Sequence, residues 1–75
     1  MNLPHRHPST QAIARYFEFG HLPEHLQAVS RPCHDLAELM IGSLDDGPEL
    51  SAGLRKLLEA KDCFVRVGVE NKEHD

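Results

Sequence analysis

Lys61 stands where an ammonium group is least expected. In the stretch LLEAKDCFVR, from Leu57 to Arg66, a helical winding puts it in line with Leu54, Leu57, Phe64 and Val65, on the stripe that should be buried. An unpaired ammonium costs several kcal/mol on full burial, so it must be paired, snorkel outward, or face a cavity. In a structural role its stem packs on the seam while the amine reaches a nearby carboxylate or a carbonyl freed by Pro32. In a functional role it points into a pocket between subunits and meets phosphate as a point charge. On the opposite face Arg55, Glu59, Asp62 and Arg66 are spaced by four, three and four. The pairs Arg55/Glu59 and Asp62/Arg66 read as surface ion pairs worth a few tenths of a kcal/mol. Arg66, near the helix end, also has free reach toward a ligand.

Three of the four aromatic residues, Tyr16, Phe17 and Phe19, are gathered beside Arg15 and His21. Core filling takes one or two of them. One left exposed would be a stacking platform for a base. Among the six histidines, His21 and His25 are four apart, but His34 falls well around the helix. No carboxylate or cysteine completes a tetrahedral set, so no metal is expected. Cys33 and Cys63 sit on different helical faces and are expected as free buried thiols. Cys33 and His34 are adjacent and so point apart on a helix. No acid/base pair stands in a pocket-like setting, and neither an enzyme nor a cofactor is expected.

Seventy-five residues make one domain at most. A chain this small buries only about 60% of its unfolded surface, so it needs disulfides, a metal or self-association. Two cysteines are too few for a disulfide framework, which leaves self-association. The formal charge of −4 argues against long nucleic acid. It permits a small phosphate-bearing ligand, since two or three well-placed cations can serve one pocket. No apolar run approaches the roughly 18 residues of a membrane span, and MNLPHRHPST lacks the apolar core of a signal peptide. No membrane association is expected, and a cytosolic, reduced setting is.

Residues 1–9 are polar and read as a mobile arm. Residues 10–69 form the folded domain, and ENKEHD, residues 70–75, reads as a frayed tail. Ser9 or Thr10 can cap a short helix from Gln11 to Phe19, with Gly20 as its stop. Pro23 suits the first turn of the next helix. In it Leu22, Leu26, Val29, Cys33, Leu36, Met40 and Leu44 alternate steps of four and three, a heptad-type seam. The seam keeps phase across Pro32, which favours one helix kinked there over two helices. In DDGPE, Asp46 can cap and Glu49 completes a box-like D-x-x-E ahead of a last helix from Pro48 to Val69. Folding back at Asp46 and Gly47 sets Leu44 near Leu50, Met40 near Leu54, Leu36 near Leu57 and Leu58, Cys33 near Lys61, and Val29 near Phe64 and Val65. The fold class expected is therefore all-α, a short N-terminal helix followed by a long antiparallel helical hairpin. A two-helix hairpin encloses no core. The short helix must cover one side and another subunit the rest. Ala52, Gly53, Lys56, Ala60, Cys63 and Val67, on the flank of the last helix, are a candidate subunit contact.

Taken together, YFEFGHLPEHLQAVS, LDDGPE and LRKLLEAKDCFVR resemble a family of small helical-hairpin proteins of bacteriophages. They are sponges for immune signalling nucleotides, the anti-CBASS cyclic-oligonucleotide sponges and the related Thoeris anti-defence sponges. The resemblance covers about Tyr16 to Arg66. It implies a non-enzymatic, symmetric homo-oligomer, typically a hexamer, that binds cyclic di- or trinucleotides or cyclic ADP-ribose type messengers between subunits, in the cytoplasm of a bacterial host. The family's aromatic-acidic-aromatic motif matches Phe17, Glu18 and Phe19. Where some sponges have a tyrosine, Phe19 keeps a stacking face and loses a hydroxyl. Arg31 and His34 are the candidates for the basic residue of the first long helix, and Arg66 is a loose match to the arginine of the last. The expected ligand-binding residues are Tyr16, Phe19, Arg31, His34, Lys61 and Arg66. The alternative is a hairpin oligomer serving as a structural or protein-interaction module without a nucleotide.

Overall fold

The computed structural model describes residue 1 and residues 3–74, with side-chain surroundings through Asn71. The elements in chain order are α1 (Pro8–Ala14), a 3-10 turn (Arg15–Phe17), α2 (Glu24–Ser43) and α3 (Pro48–His74). Among the described residues there is no strand, and no helix is long and apolar enough to cross a membrane.

The first helix begins ahead of the expected Gln11, because its start is set by His7 and Pro8 and not by Ser9 or Thr10. The ring Nδ1 of His7 accepts the Ser9 amide at 3.1 Å. Pro8 then occupies the first turn, where the missing N–H leaves nothing unsatisfied. At Arg15 the coil tightens into the 3-10 turn, and Glu18 is already extended at φ −62°, ψ 140°. The expected helix to Phe19 is thus cut short. Phe17 stays on the helical side and is fully buried, while Phe19 falls in the connecting loop.

α2 is one helix with Pro32 inside it, as the unbroken phase of its apolar residues suggests. The helix-to-helix levels also agree with the expected register. A Cβ placed on Gly68 would meet Leu26 Cδ2 at 3.0 Å and Val29 Cγ2 at 3.5 Å. Cys33 lies close enough to Lys61 to feel its charge. Leu36, Met40 and Leu44 share one groove with Leu50, Leu54 and Leu57. These contacts lay α3 back along α2.

The buried side of α2 differs from the expected seam. Leu26, Ser30, Cys33, Ala37 and Ile41 are buried, whereas Leu36 and Leu44 remain about half exposed, at 45% and 50%. A helical hairpin has two flanks, and heptad spacing does not say which one a third element will cover. Here Ala14 and Phe17 join Cys33, Ala37, Ile41, Leu50 and Leu54 in the core. The small side chains at positions 33 and 37 leave room for the Phe17 ring, and the leucine-rich flank is left uncovered. Thr10 and Ser30 are the buried polar residues among the described residues. The Thr10 hydroxyl donates to Asp46 Oδ1 at 2.7 Å, while Ser30 Oγ has no hydrogen-bond partner among the described residues.

The segment expected as a mobile arm is held against the hairpin turn. The Arg6 guanidinium donates to the carbonyls of Ile41 and Leu44 and to Asp46 Oδ1. It thereby satisfies acceptors left over at the C-terminal end of α2. The His7 amide donates to Asp46 Oδ2 at 2.9 Å. Asp46, expected to cap α3, instead has its carboxylate engaged by the N-terminal segment. Met1 and Leu3 are half-buried and pack against the core. At the other end α3 continues to His74, beyond the expected stop at Val69. Of the tail expected to fray, residues 70–74 are helical, and Asp75 lies outside the described residues.

Candidate functional site

The six expected ligand-binding residues fall into two groups. Tyr16, Lys61 and Arg66 line one cleft of about 390 Å³, together with Arg15, His21 and Asp62. Phe19, Arg31 and His34 form a separate cluster.

In the cleft, the 3-10 turn presents Tyr16 outward because the neighbouring Phe17 points into the core. Tyr16 is 60% exposed, so a ring face is open to a planar group. Lys61 rises from α3 toward the same place. Its stem is largely covered, with the side chain 12% exposed, and its Nζ donates to the Tyr16 carbonyl at 2.7 Å. The structural role foreseen for Lys61 is therefore realised, but on the end of the aromatic turn and not on a carbonyl freed by Pro32. Asp62 Oδ1 lies 3.4 Å from the same ammonium. Arg66 is exposed, and its guanidinium approaches Cys63 Sγ at 3.5 Å; the expected Asp62/Arg66 pair is replaced by these two contacts. Arg15 has no ion pair among the described residues.

Two acidic groups temper the positive charge. Glu18 accepts from the Met1 ammonium, and this neighbour holds its carboxyl below the ordinary value, with His34 and His21 adding to the pull. Asp62 offsets part of the Lys61 charge. The cleft still holds three formal cations, Arg15, Lys61 and Arg66, against these two carboxylates.

The second cluster is closed on itself. The Arg31 guanidinium sits 5.1 Å from the Phe19 ring centroid, a cation–π arrangement worth about 0.5–1 kcal/mol at an exposed position. The His34 ring meets Phe19 edge-on, with centroids 5.0 Å apart and planes at 75°. Its Nδ1 is 3.1 Å from Asp35 Oδ1. A base stacking on Phe19 would have to share the ring with Arg31. Of the two expected stacking residues, Tyr16 offers the open face.

Arg15 and His21 also line the cleft, and their closeness to Tyr16 in the chain is the signal in the sequence that associates them with it. Cys33 is buried, and burial raises its thiol pKa against the opposing pull of Lys61. Cys63, expected buried, is exposed, because it lies on the outer face of α3. No group of three or more His, Cys, Asp or Glu side chains is arranged to hold a metal among the described residues.

No family model, curated protein or solved structure matches the chain.

Proposed function

We propose that this protein binds a small cyclic nucleotide messenger without chemical turnover and so withholds it from other receptors. The supporting observation is the cleft in which the exposed Tyr16 stands beside Arg15, Lys61 and Arg66. An aromatic face and several cations within one 390 Å³ cleft suit a base and its phosphates. Stacking would contribute about 1–3 kcal/mol per base. The phosphates would draw on Arg15 and Arg66, with Lys61 shared between ligand and the Tyr16 carbonyl. The resemblance to phage nucleotide sponges supports the same reading, along with a homo-oligomer, expected as a hexamer, acting in the host bacterial cytoplasm. Phe19, Arg31 and His34 stand outside the cleft and take part only if a second subunit or a loop movement brings them to it.

The test is calorimetric titration with cyclic di- and trinucleotides and cyclic ADP-ribose isomers. Saturable heat with at least one of them, lost in Tyr16→Ala and reduced in Arg66→Ala, is the expected result. No heat with any of them at tens of micromolar protein overturns the proposal. The Lys61 bond to Tyr16 favours a second reading, in which the hairpin is an interaction module and Lys61 only fastens the aromatic turn to α3. That reading predicts no nucleotide binding and a loss of stability when Lys61 is replaced.

A further inference from the structure

Beside the core residues Leu50 and Leu54, one flank of the hairpin forms an apolar groove of about 520 Å³ that Leu36, Met40, Leu44 and Gly53 also line. The apolar row continues along α3 one heptad past Leu57 to Phe64, which is 55% exposed. At the turn end the groove is rimmed by Asp45 and Glu49.

We infer that a second copy of this chain covers this groove, antiparallel, so that two hairpins close into a four-helix bundle. The surface area supports a partner. The chain exposes 5221 Å², whereas a folded monomer of 8.4 kDa is expected to expose roughly 4,600 Å². The excess of about 600 Å² belongs to the whole surface of a chain measuring 43 × 20 × 17 Å, and it marks a hairpin that carries more open surface than a compact monomer of its mass. A second hairpin also supplies what one hairpin lacks, a facing pair of apolar rows of the same length and pitch. Charge selects the direction. Pairing turn to turn would gather Asp45 and Glu49 of both copies, four carboxylates at one end. The antiparallel arrangement separates them and lays Phe64 of each copy over the Leu44 and Leu50 end of the other. The missing Cβ of Gly53 allows close approach there, since nothing lies within 4 Å of that position in the single chain. This interface shares Gly53 with the small-residue flank of α3 suggested by helical spacing and otherwise uses different residues. It rests on the proposed self-association and is independent of any nucleotide.

Sedimentation equilibrium of the full chain, with Leu44→Lys and Phe64→Lys as separate variants, tests the placement. Both side chains are half exposed in the single chain, so each variant should keep its helical circular dichroism and sediment at a lower mass than the unaltered chain, which associates. An unaltered chain that is monomeric at tens of micromolar overturns both the placement and self-association. An associating chain whose variants associate equally well overturns the placement alone. Should a lysine variant lose its helical signal, the Leu44→Ala and Phe64→Ala double variant replaces it. Because each substitution occurs in both copies, four apolar anchors are truncated, and at roughly tenfold for each the dissociation constant is expected to rise about ten-thousandfold; an unchanged constant overturns the placement.

Discussion

Replacing Lys61 by methionine separates the two roles open to this residue. Methionine keeps an unbranched stem of similar reach and removes the ammonium. The bond lost runs from Nζ to the Tyr16 carbonyl at 2.7 Å. A hydrogen bond involving a charged group contributes about 1.5–3 kcal/mol net. Tyr16 is exposed, however, and its carbonyl can turn to water once the lysine is gone, so the loss should lie at or somewhat below the lower end, about 1–1.5 kcal/mol. The Asp62 contact adds little, because that carboxylate is half exposed and exposed pairs contribute roughly 0–1 kcal/mol. For a domain of this size each kcal/mol moves the melting temperature by about 4–8 °C, so Lys61→Met should melt roughly 4–12 °C below the unaltered protein. Lys61→Ala also removes packed methylenes, at about 0.8 kcal/mol for each fully buried one, and should melt lower still. Thermal unfolding followed by far-ultraviolet circular dichroism, at one fixed protein concentration because association shifts the midpoint, gives the first readout. Calorimetric titration of the same folded variants gives the second. A Lys61→Met protein that melts at or above the unaltered temperature refutes the tether to Tyr16. One that melts lower but binds nucleotide with unchanged affinity refutes the phosphate contact.

Two further outcomes test the packing. The Asp46 carboxyl is held below its ordinary value by the Thr10 hydroxyl first, then by the His7 amide and Arg6. A folded-state pKa below the unfolded one contributes stability that is present above the unfolded value, about 4, and is lost as pH falls through the folded value. Urea midpoints should therefore fall on acidification below about pH 4, and Asp46→Asn should remove that part of the slope; an identical slope in the variant would show that the N-terminal contacts do not depend on this charge. Gly42→Ala should stabilise α2 by up to about 1 kcal/mol, since nothing lies within 4 Å of the added methyl. Gly68→Ala should gain less or lose stability, because its methyl meets Leu26 Cδ2 at 3.0 Å, and equal urea midpoints for the two variants would contradict the close approach of α2 and α3.

Much of the site was legible because it depends on short-range features. The crowding of Tyr16, Phe17 and Phe19 marks a segment whose side chains must divide between core and surface, and a lysine on an apolar stripe signals a fixed partner. Which aromatic goes inside is not a local property. The change from α-helix to 3-10 turn at Arg15 rotates Phe17 inward and Tyr16 outward, and it leaves Phe19 to Arg31 and His34. The tether of Arg6 to Ile41, Leu44 and Asp46 spans 35 to 40 residues, and a polar stretch with two prolines carries no sign of such a partner.

The sequence by itself determined the helical class and the level at which α2 meets α3, and it favoured, without deciding, the continuity of α2 through Pro32. Each follows from periodicity along one helix or from the position of one turn. Tertiary structure alone decided which flank of the hairpin is covered, where the N-terminal segment is fastened and what the Lys61 ammonium touches. Those outcomes depend on how Phe17 fits beside Cys33 and Ala37. They depend also on which unsatisfied carbonyls lie within reach of a cation, and helical spacing describes neither.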